Sequence, residues 1–216
     1  MEKLIDNINE TFTTIYKDFS WYMGQNESRS GLGSTLEWTS NFKSILLKFI
    51  SEKNINTILD CSCGDWNWMR TISDSLPNYI GLDCVQEAID YNNKNYSKDN
   101  IKFICSDMNT YLKNIDYKFD LIIIRHTLEH LPLQYATESV SLTKEKSKYS
   151  FITSFSEKVV NIDLDFPKET YRPIYLESDP FVSILGKPIE KYYDGPETNK
   201  ISSHYPEINL YENNWF

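Results

Sequence analysis

The stretch from Asn56 to Met69, Asn-Thr-Ile-Leu-Asp-Cys-Ser-Cys-Gly-Asp-Trp-Asn-Trp-Met, constrains the fold more than any other. Thr57, Ile58 and Leu59 are apolar or β-branched and read as a short buried strand, which Asp60 ends. Cys61, Ser62, Cys63 and Gly64 are all small, so the backbone there can pass close to a ligand. Trp66, Trp68 and Met69 then restart an apolar pattern at near-helical spacing, and a helix beginning there would present unpaired N–H groups. Strand, small-residue turn and helix start form the opening of a nucleotide-binding α/β unit. Spacing alone fits an ordinary strand–turn–helix equally well, because a dinucleotide fingerprint carries three glycines and this turn has only Gly64.

The residues downstream extend the pattern. Tyr79–Asp83 is a second short strand ending in an acid, 23 positions after Asp60. An acid at about that distance from the turn suits ribose hydroxyls, because a carboxylate accepts two hydrogens at once. Ile101–Cys105 is a third strand, followed by Ser106, Asp107 and Met108. Phe119–Ile124 carries three consecutive Ile and reads as a strand buried on both faces of a parallel sheet. Tyr149–Phe155 is a fifth strand, and Pro188–Tyr193 and Glu207–Tyr211 close the set, read as antiparallel. Helices are expected over Glu2–Phe19, from Leu36 to Ile50, over Val85–Tyr96 and over Pro132–Lys144. The segment 156–175 has no periodicity, but Phe166, Tyr171 and Tyr175 argue that it is ordered.

The fold class is therefore α/β: a Rossmann-like, doubly wound, mostly parallel sheet of about seven strands, with helices on both faces and an N-terminal helical cap. The chain of 216 residues suits one domain. Residues 1–35 form the helix and a lid segment, 36–155 the cofactor-binding core, and 156–216 the substrate loop and closing strands. In such a sheet the ligand site lies at the carboxyl ends of the strands, so Asp60, Asp83, Asp107 and His126 should line one cleft.

Composition narrows the partners. A net charge of -9 without a Lys/Arg cluster argues against a nucleic-acid surface. No run of about 18 apolar residues exists to span a membrane. The N-terminus is charged and helix-patterned rather than leader-like. Cys61, Cys63, Cys84 and Cys105 lie in or beside strands and read as free thiols of a reducing, cytoplasmic protein. The 15 Tyr, 11 Phe and 5 Trp predict aromatic-lined pockets.

Asp60 to Met69, with Asp83 and Asp107 after the next two strands, resembles the class I S-adenosylmethionine-dependent methyltransferases. The resemblance implies that Asp60 and Gly64 hold the methionine end of S-adenosylmethionine, that Asp83 binds the ribose, and that Asp107 lies by the adenine amine with Met108 stacked beside it. Ser62, Trp66, Trp68, Cys84, Arg125, Gly33 and Ser34 complete the candidate cofactor set. Cys63-Gly64-Asp65-Trp66-Asn67-Trp68-Met69 further resembles a subfamily whose turn reads Cys-Gly-Asp-aromatic-x-Trp-Met. Ser30 to Glu37, Arg125 with Leu128, His130 and Leu131, and Asn161 to Asp163 with Arg172-Pro173 share that likeness. The subfamily often accompanies surface-polysaccharide biosynthesis genes. Three positions depart from the pattern: Ser62 replaces the usual Gly or Pro, Trp66 the superfamily's last Gly, and His126 an acid.

The implied function is methyl transfer to a small molecule, O-methylation of a sugar, sugar nucleotide or glycan substituent. A hydroxyl acceptor is helped by a general base. His130 is the first candidate and His126 the second, four apart and on one face if a helix starts there. Arg172 suits an anionic acceptor group, with Asn161 and Asp163 beside it. No metal is assigned, and a homodimer stays open. A catalytically silent methyltransferase-like binding subunit, or an NAD-dependent oxidoreductase, is the alternative.

Overall fold

Alternation along the fourth strand sets the two layers of the core. Leu121 and Ile123 point into one apolar cluster, while Ile122 and Ile124 point into the other. A strand buried on both faces needs helices on both sides, and the rest of the chain supplies them. The computed structural model describes residues 2–22, 24, 26–196 and 206–213.

The strands are β1 (Thr57–Cys61), β2 (Asn78–Asp83), β3 (Ile101–Cys105), β4 (Phe119–Ile124), β5 (Ser147–Phe155), β6 (Glu190–Tyr193) and β7 (Pro206–Glu212). They form one seven-stranded sheet in the order β3-β2-β1-β4-β5-β7-β6. The first five run parallel, and β7 pairs antiparallel with both β5 and β6. The order reverses at β1, with β2 on one side and β4 on the other, which opens a crevice at the strands' carboxyl ends.

The helices are α1 (Glu2–Lys17), α2 (Ser40–Lys53), α3 (Gln86–Tyr96), α4 (Met108–Asn114), α5 (Leu133–Lys146) and the short α6 (Phe181–Leu185). Ile8 of α1, Leu112 of α4 and Ala136 and Val140 of α5 cover one face with Leu59 and Ile122. Phe42, Leu46 and Phe49 of α2 and Ile89 of α3 cover the other with Ile58 and Phe151. No described helix is long and apolar enough to cross a membrane.

Two expectations need correction. No α-helix begins after the Gly64 turn: residues 65–68 are turn and irregular backbone, and a 3-10 stretch follows over Met69–Ser75. Trp66 takes a φ of +57°, outside helical space, and so buries its indole against Tyr79, Tyr96 and Phe103. His126 and His130 likewise do not share a helix face. His126 sits at φ +50°, ahead of a 3-10 turn that spans Leu128–His130.

Candidate active site

A cavity opens where β1, β2, β3 and β4 end. Asp83, Asp107 and His126 line it, together with Ser62, Gly64, Cys84, Met108, Arg125, Ser34 and His130. Asp60, the fourth residue expected to converge there, is not on its wall.

Asp83 ends β2. Its Oδ2 accepts the Gly64 N–H at 2.9 Å and its Oδ1 accepts the Val85 N–H at 3.0 Å. Burial raises its carboxyl against the lowering effect of these bonds. Each oxygen keeps a further lone pair, so the group can accept two more hydroxyls. Asp107 caps α4: its Oδ1 accepts the Thr110 N–H at 3.0 Å and the Tyr135 hydroxyl at 2.6 Å. Both bonds use one oxygen, which leaves Oδ2 as an acceptor toward the cavity. Tyr135 carried no signal in the sequence, lying among ordinary residues of α5. Met108 is buried beside these acids on the cavity wall. Cys84 also lines the wall, and burial raises its thiol, so it stays neutral.

Gly64 is required for a reason other than ligand approach. Its φ is +55°, and a Cβ there would meet Ser30 Oγ at 2.1 Å. Ser30 Oγ accepts the Asp65 N–H at 2.9 Å, while Asp65 Oδ2 accepts from the Ser28 hydroxyl at 2.9 Å and the Arg29 N–H at 2.7 Å. Asn67 donates to Glu27 Oε1 at 2.6 Å and to the Ser34 carbonyl at 3.0 Å. The segment Glu27–Ser34 is thus docked on the turn and carries Ser30 and Ser34 to the cavity.

At the end of β4 lies a buried group of charges. Arg125 donates through Nε and Nη2 to Asp194 Oδ1, at 3.2 and 2.9 Å, and through Nη1 to the Gly33 carbonyl at 2.7 Å. Its fork is committed within the protein. Asp194 is fully buried just after β6 and 69 positions from Arg125, a distance no sequence pattern spans. His126 Nδ1 lies 2.8 Å from Glu129 Oε1. Its Nε2 approaches Asp194 Oδ2 at 3.1 Å, an ion-pair contact whose angle misses a hydrogen bond. Burial pulls the His126 pKa down, but these two carboxylates outweigh it and raise it to about 9. His126 is a cation at neutral pH and has no proton-accepting nitrogen there.

His130 is its opposite. Burial lowers its pKa, against the raising effect of Glu129, so it is neutral at pH 7. Nδ1 stands 2.6 Å from the Thr170 carbonyl. A carbonyl only accepts, so Nδ1 carries the hydrogen and Nε2 carries the lone pair.

The other candidates lie elsewhere. Asp60 Oδ2 accepts the Tyr79 hydroxyl at 2.6 Å, and Trp66 Nε1 donates to that hydroxyl at 2.9 Å. Burial raises the Asp60 carboxyl to about 7. Trp66 is in the core, and Trp68 packs on Phe42. Gly33 contributes its carbonyl to Arg125. Arg172 donates Nη1 to the Leu131 carbonyl at 2.7 Å and does not reach the cavity. Asn161 ties down the Tyr175 and Asp179 backbone, at 2.9 and 3.0 Å. Asp163 caps α5 through the Leu133 N–H at 2.7 Å.

Residues 58–146 match the family described as Methyltransferase domain. The match runs from β1 to the end of α5, less than half of the chain. Solved structures agree on the fold. The magnesium protoporphyrin IX methyltransferase of Synechocystis PCC 6803, with bound SAH, aligns over 99% of both chains at 15% identity with a TM-score of 0.62. The 1,6-didemethyltoxoflavin-N1-methyltransferase of Burkholderia thailandensis covers 99% of this chain and 90% of its own at 12% identity, with a TM-score of 0.70. The N-methyltransferase NodS of Bradyrhizobium japonicum WM9, in complex with SAH, covers 93% and 99% at 10% identity, with a TM-score of 0.64. No curated protein matches this chain.

Proposed function

We propose that this domain transfers a methyl group from S-adenosylmethionine to a hydroxyl of a small, uncharged molecule, namely a sugar or the sugar unit of a glycan or its precursor. The observation that carries the hydroxyl is His130, a neutral imidazole at the cavity with Nδ1 locked and Nε2 left to take a proton. The sugar rests on the motif Cys63–Met69 and its resemblance to enzymes of surface-glycan biosynthesis.

The residues present fit the cofactor. Asp83 has the lone pairs for two ribose hydroxyls, Asp107 Oδ2 suits an exocyclic amine, and Met108 offers an apolar face to a purine. The charge fits as well. Asp83, Asp107, Glu129 and Asp194 outnumber the cations Arg125 and His126, so the site favours a net positive ligand.

Bound S-adenosylmethionine supplies an electrophilic methyl on a sulfonium. Asp83 and Asp107 would hold the nucleoside end of the cofactor, and His130 stands past the end of β4. An acceptor hydroxyl beside His130 would gain the methyl, the sulfur keeping the electron pair of the bond it loses. His130 Nε2 takes the hydroxyl proton. Alignment and water exclusion supply the larger part of the acceleration. Ile8, Phe12 and Tyr16 of α1 roof the cavity and contribute to that exclusion.

Titration calorimetry with S-adenosylmethionine and S-adenosylhomocysteine, on wild type and Asp83→Ala, tests the cofactor. Binding near -8 kcal/mol, lost in the variant, supports the assignment. A methyl-transfer assay against methyl glycosides and oligosaccharides tests the acceptor, with His130→Ala lowering turnover about 10²-fold or more. Cofactor binding without turnover on any hydroxyl acceptor would mark a silent binding subunit instead.

A further inference from the structure

A file of aromatic rings leaves the cavity on the side away from the nucleoside end. Trp21 and His130 both line the cavity, with ring centroids 5.1 Å apart. His130 meets Tyr171 at 5.6 Å, and Tyr171 meets Phe155, the last residue of β5, at 6.3 Å. Asp83 and Asp107 follow β2 and β3, whereas this file runs from the end of β4 toward β5. A ligand whose nucleoside end lay between those acids would have its other end toward the start of the file.

Tyr171 is the informative member. It is 54% exposed, although its neighbours on either side are pinned. Thr170 accepts from His130 Nδ1 at 2.6 Å, and the Arg172 N–H donates to the Glu129 carbonyl at 3.0 Å. The buried Arg172 side chain adds a third tie, to the Leu131 carbonyl at 2.7 Å. A large aromatic held this firmly yet left open to solvent is a pre-organised face, which loses little entropy when something stacks on it.

We infer that Trp21, His130 and Tyr171 form the acceptor subsite, and that this subsite takes an uncharged ring by stacking rather than an anionic group by ion pairing. The inference rests on the methyl-transfer reading for its orientation. Carbon-bound hydrogens on one face of a saturated ring meet the negative π-face of an aromatic favourably. Among the described residues of the cavity wall Arg125 is the sole Lys or Arg, and it is committed to Asp194 and Gly33; Arg172, beside Tyr171, has Nη1 on the Leu131 carbonyl and its other nitrogens buried away from solvent. A ring stacked here brings its hydroxyl beside His130 Nε2. Arg172 is then a positioning residue, acting through Tyr171.

Saturation-transfer difference NMR with saturating S-adenosylhomocysteine reads this directly. The probes are methyl hexopyranosides and, as the anionic control, glucose 6-phosphate. Wild type is expected to show transfer concentrated on one ring face of the uncharged probes and little to the phosphate. Tyr171→Ala should reduce it by about fivefold, with Tyr171→Phe retaining it. Tyr171 lies off the cofactor wall, so nucleoside affinity should be unchanged in both variants. Transfer indifferent to Tyr171, a preference for the phosphate, or no transfer to any ring overturns the subsite. The same probes run without nucleoside separate the two readings. Tyr171-dependent transfer from a chain that fails to bind S-adenosylhomocysteine supports the subsite and sinks the cofactor instead.

Discussion

His126 Nδ1 and Glu129 Oε1 lie 2.8 Å apart, and Asp194 Oδ2 closes on the opposite nitrogen at 3.1 Å. The imidazole is thus held as a cation between two buried carboxylates, and its pKa rises from 6.5 to about 9. A group whose pKa is higher folded than unfolded stabilises fully below the unfolded value. That contribution is lost as pH rises through the folded value. Thermal unfolding of wild type should therefore show its midpoint dropping between about pH 7 and pH 9. His126→Gln should be less stable at neutral pH and show a flatter alkaline limb. An alkaline limb of the same slope in the variant would place the titration elsewhere.

Asp60 titrates in a lower window with the same sign. Burial raises its folded pKa from 3.8 to about 7, so the stabilisation of its protonated form is complete below 3.8 and fades as pH rises through about 7. Asp60→Asn keeps an acceptor for the Tyr79 hydroxyl and removes the buried charge. It should be more stable than wild type at pH 8, by roughly 1–3 kcal/mol, with the gain vanishing near pH 4. Because Asp60 is off the cavity wall, the substitution should weaken S-adenosylhomocysteine binding by less than about tenfold, whereas Asp83→Ala should abolish it. A larger loss in Asp60→Asn would give that carboxylate a direct part in holding the methionine end.

The contrast between Asp60 and Asp83 shows what the sequence could convey. The strands, the parallel core and the closing antiparallel pair were legible from local patterns: Ile122 and Ile123 declare a strand buried on both faces without help from the rest of the chain. An acid at a strand's end is equally visible. Which way its side chain turns is not, because that depended on Tyr79, 19 positions away, offering a hydroxyl at 2.6 Å. Arg172 is a similar case. A guanidinium suits phosphate and backbone carbonyl alike, and here the Leu131 carbonyl, 41 positions back, takes Nη1 while Nε and Nη2 are buried without a partner. Asp194 and Tyr135 carried no local signal, since each acts through one long-range bond. Trp66 in the place of a glycine was visible as a departure, and its positive φ is what prevents a helix from starting there.

Gly64 tests the docking of the segment that carries Ser30. Gly64→Ala would place a methyl 2.1 Å from Ser30 Oγ at a φ of +55°. Both the clash and the backbone strain oppose it, and the variant should lose roughly 2–4 kcal/mol of stability and most of its cofactor affinity. Pairing it with Ser30→Gly removes the clash and leaves the strain. Denaturant unfolding should then recover part of the loss. No recovery would mean that strain alone carries the cost, and that Ser30 does not enforce the glycine.

Arg29 governs how α1 sits over the cavity. Its guanidinium carbon lies 3.9 Å from the centroid of the Tyr16 ring and 4.4 Å from that of Phe19, with Nη2 donating to the Tyr16 carbonyl at 2.9 Å. Nη1 reaches Glu87 on α3 at 2.7 Å. That pair is partly exposed and contributes little by itself, so the hold on α1 comes mainly from the stacked faces and the carbonyl. Tyr16, Phe12 and Ile8 of the same helix line the cavity, so loosening its C-terminal end exposes the ligand to water. Arg29→Ala should speed hydrogen exchange across α1 by about 5–30-fold, corresponding to roughly 1–2 kcal/mol of local opening. β1 and β4 should exchange as in wild type. Cofactor dissociation should quicken in proportion while Asp83 contacts stay intact, and Arg29→Lys should restore little, because an ammonium cannot lie flat on two rings and reach the carbonyl together. Exchange in α1 unchanged by Arg29→Ala would show that its apolar face against Leu112 and the sheet holds the helix unaided.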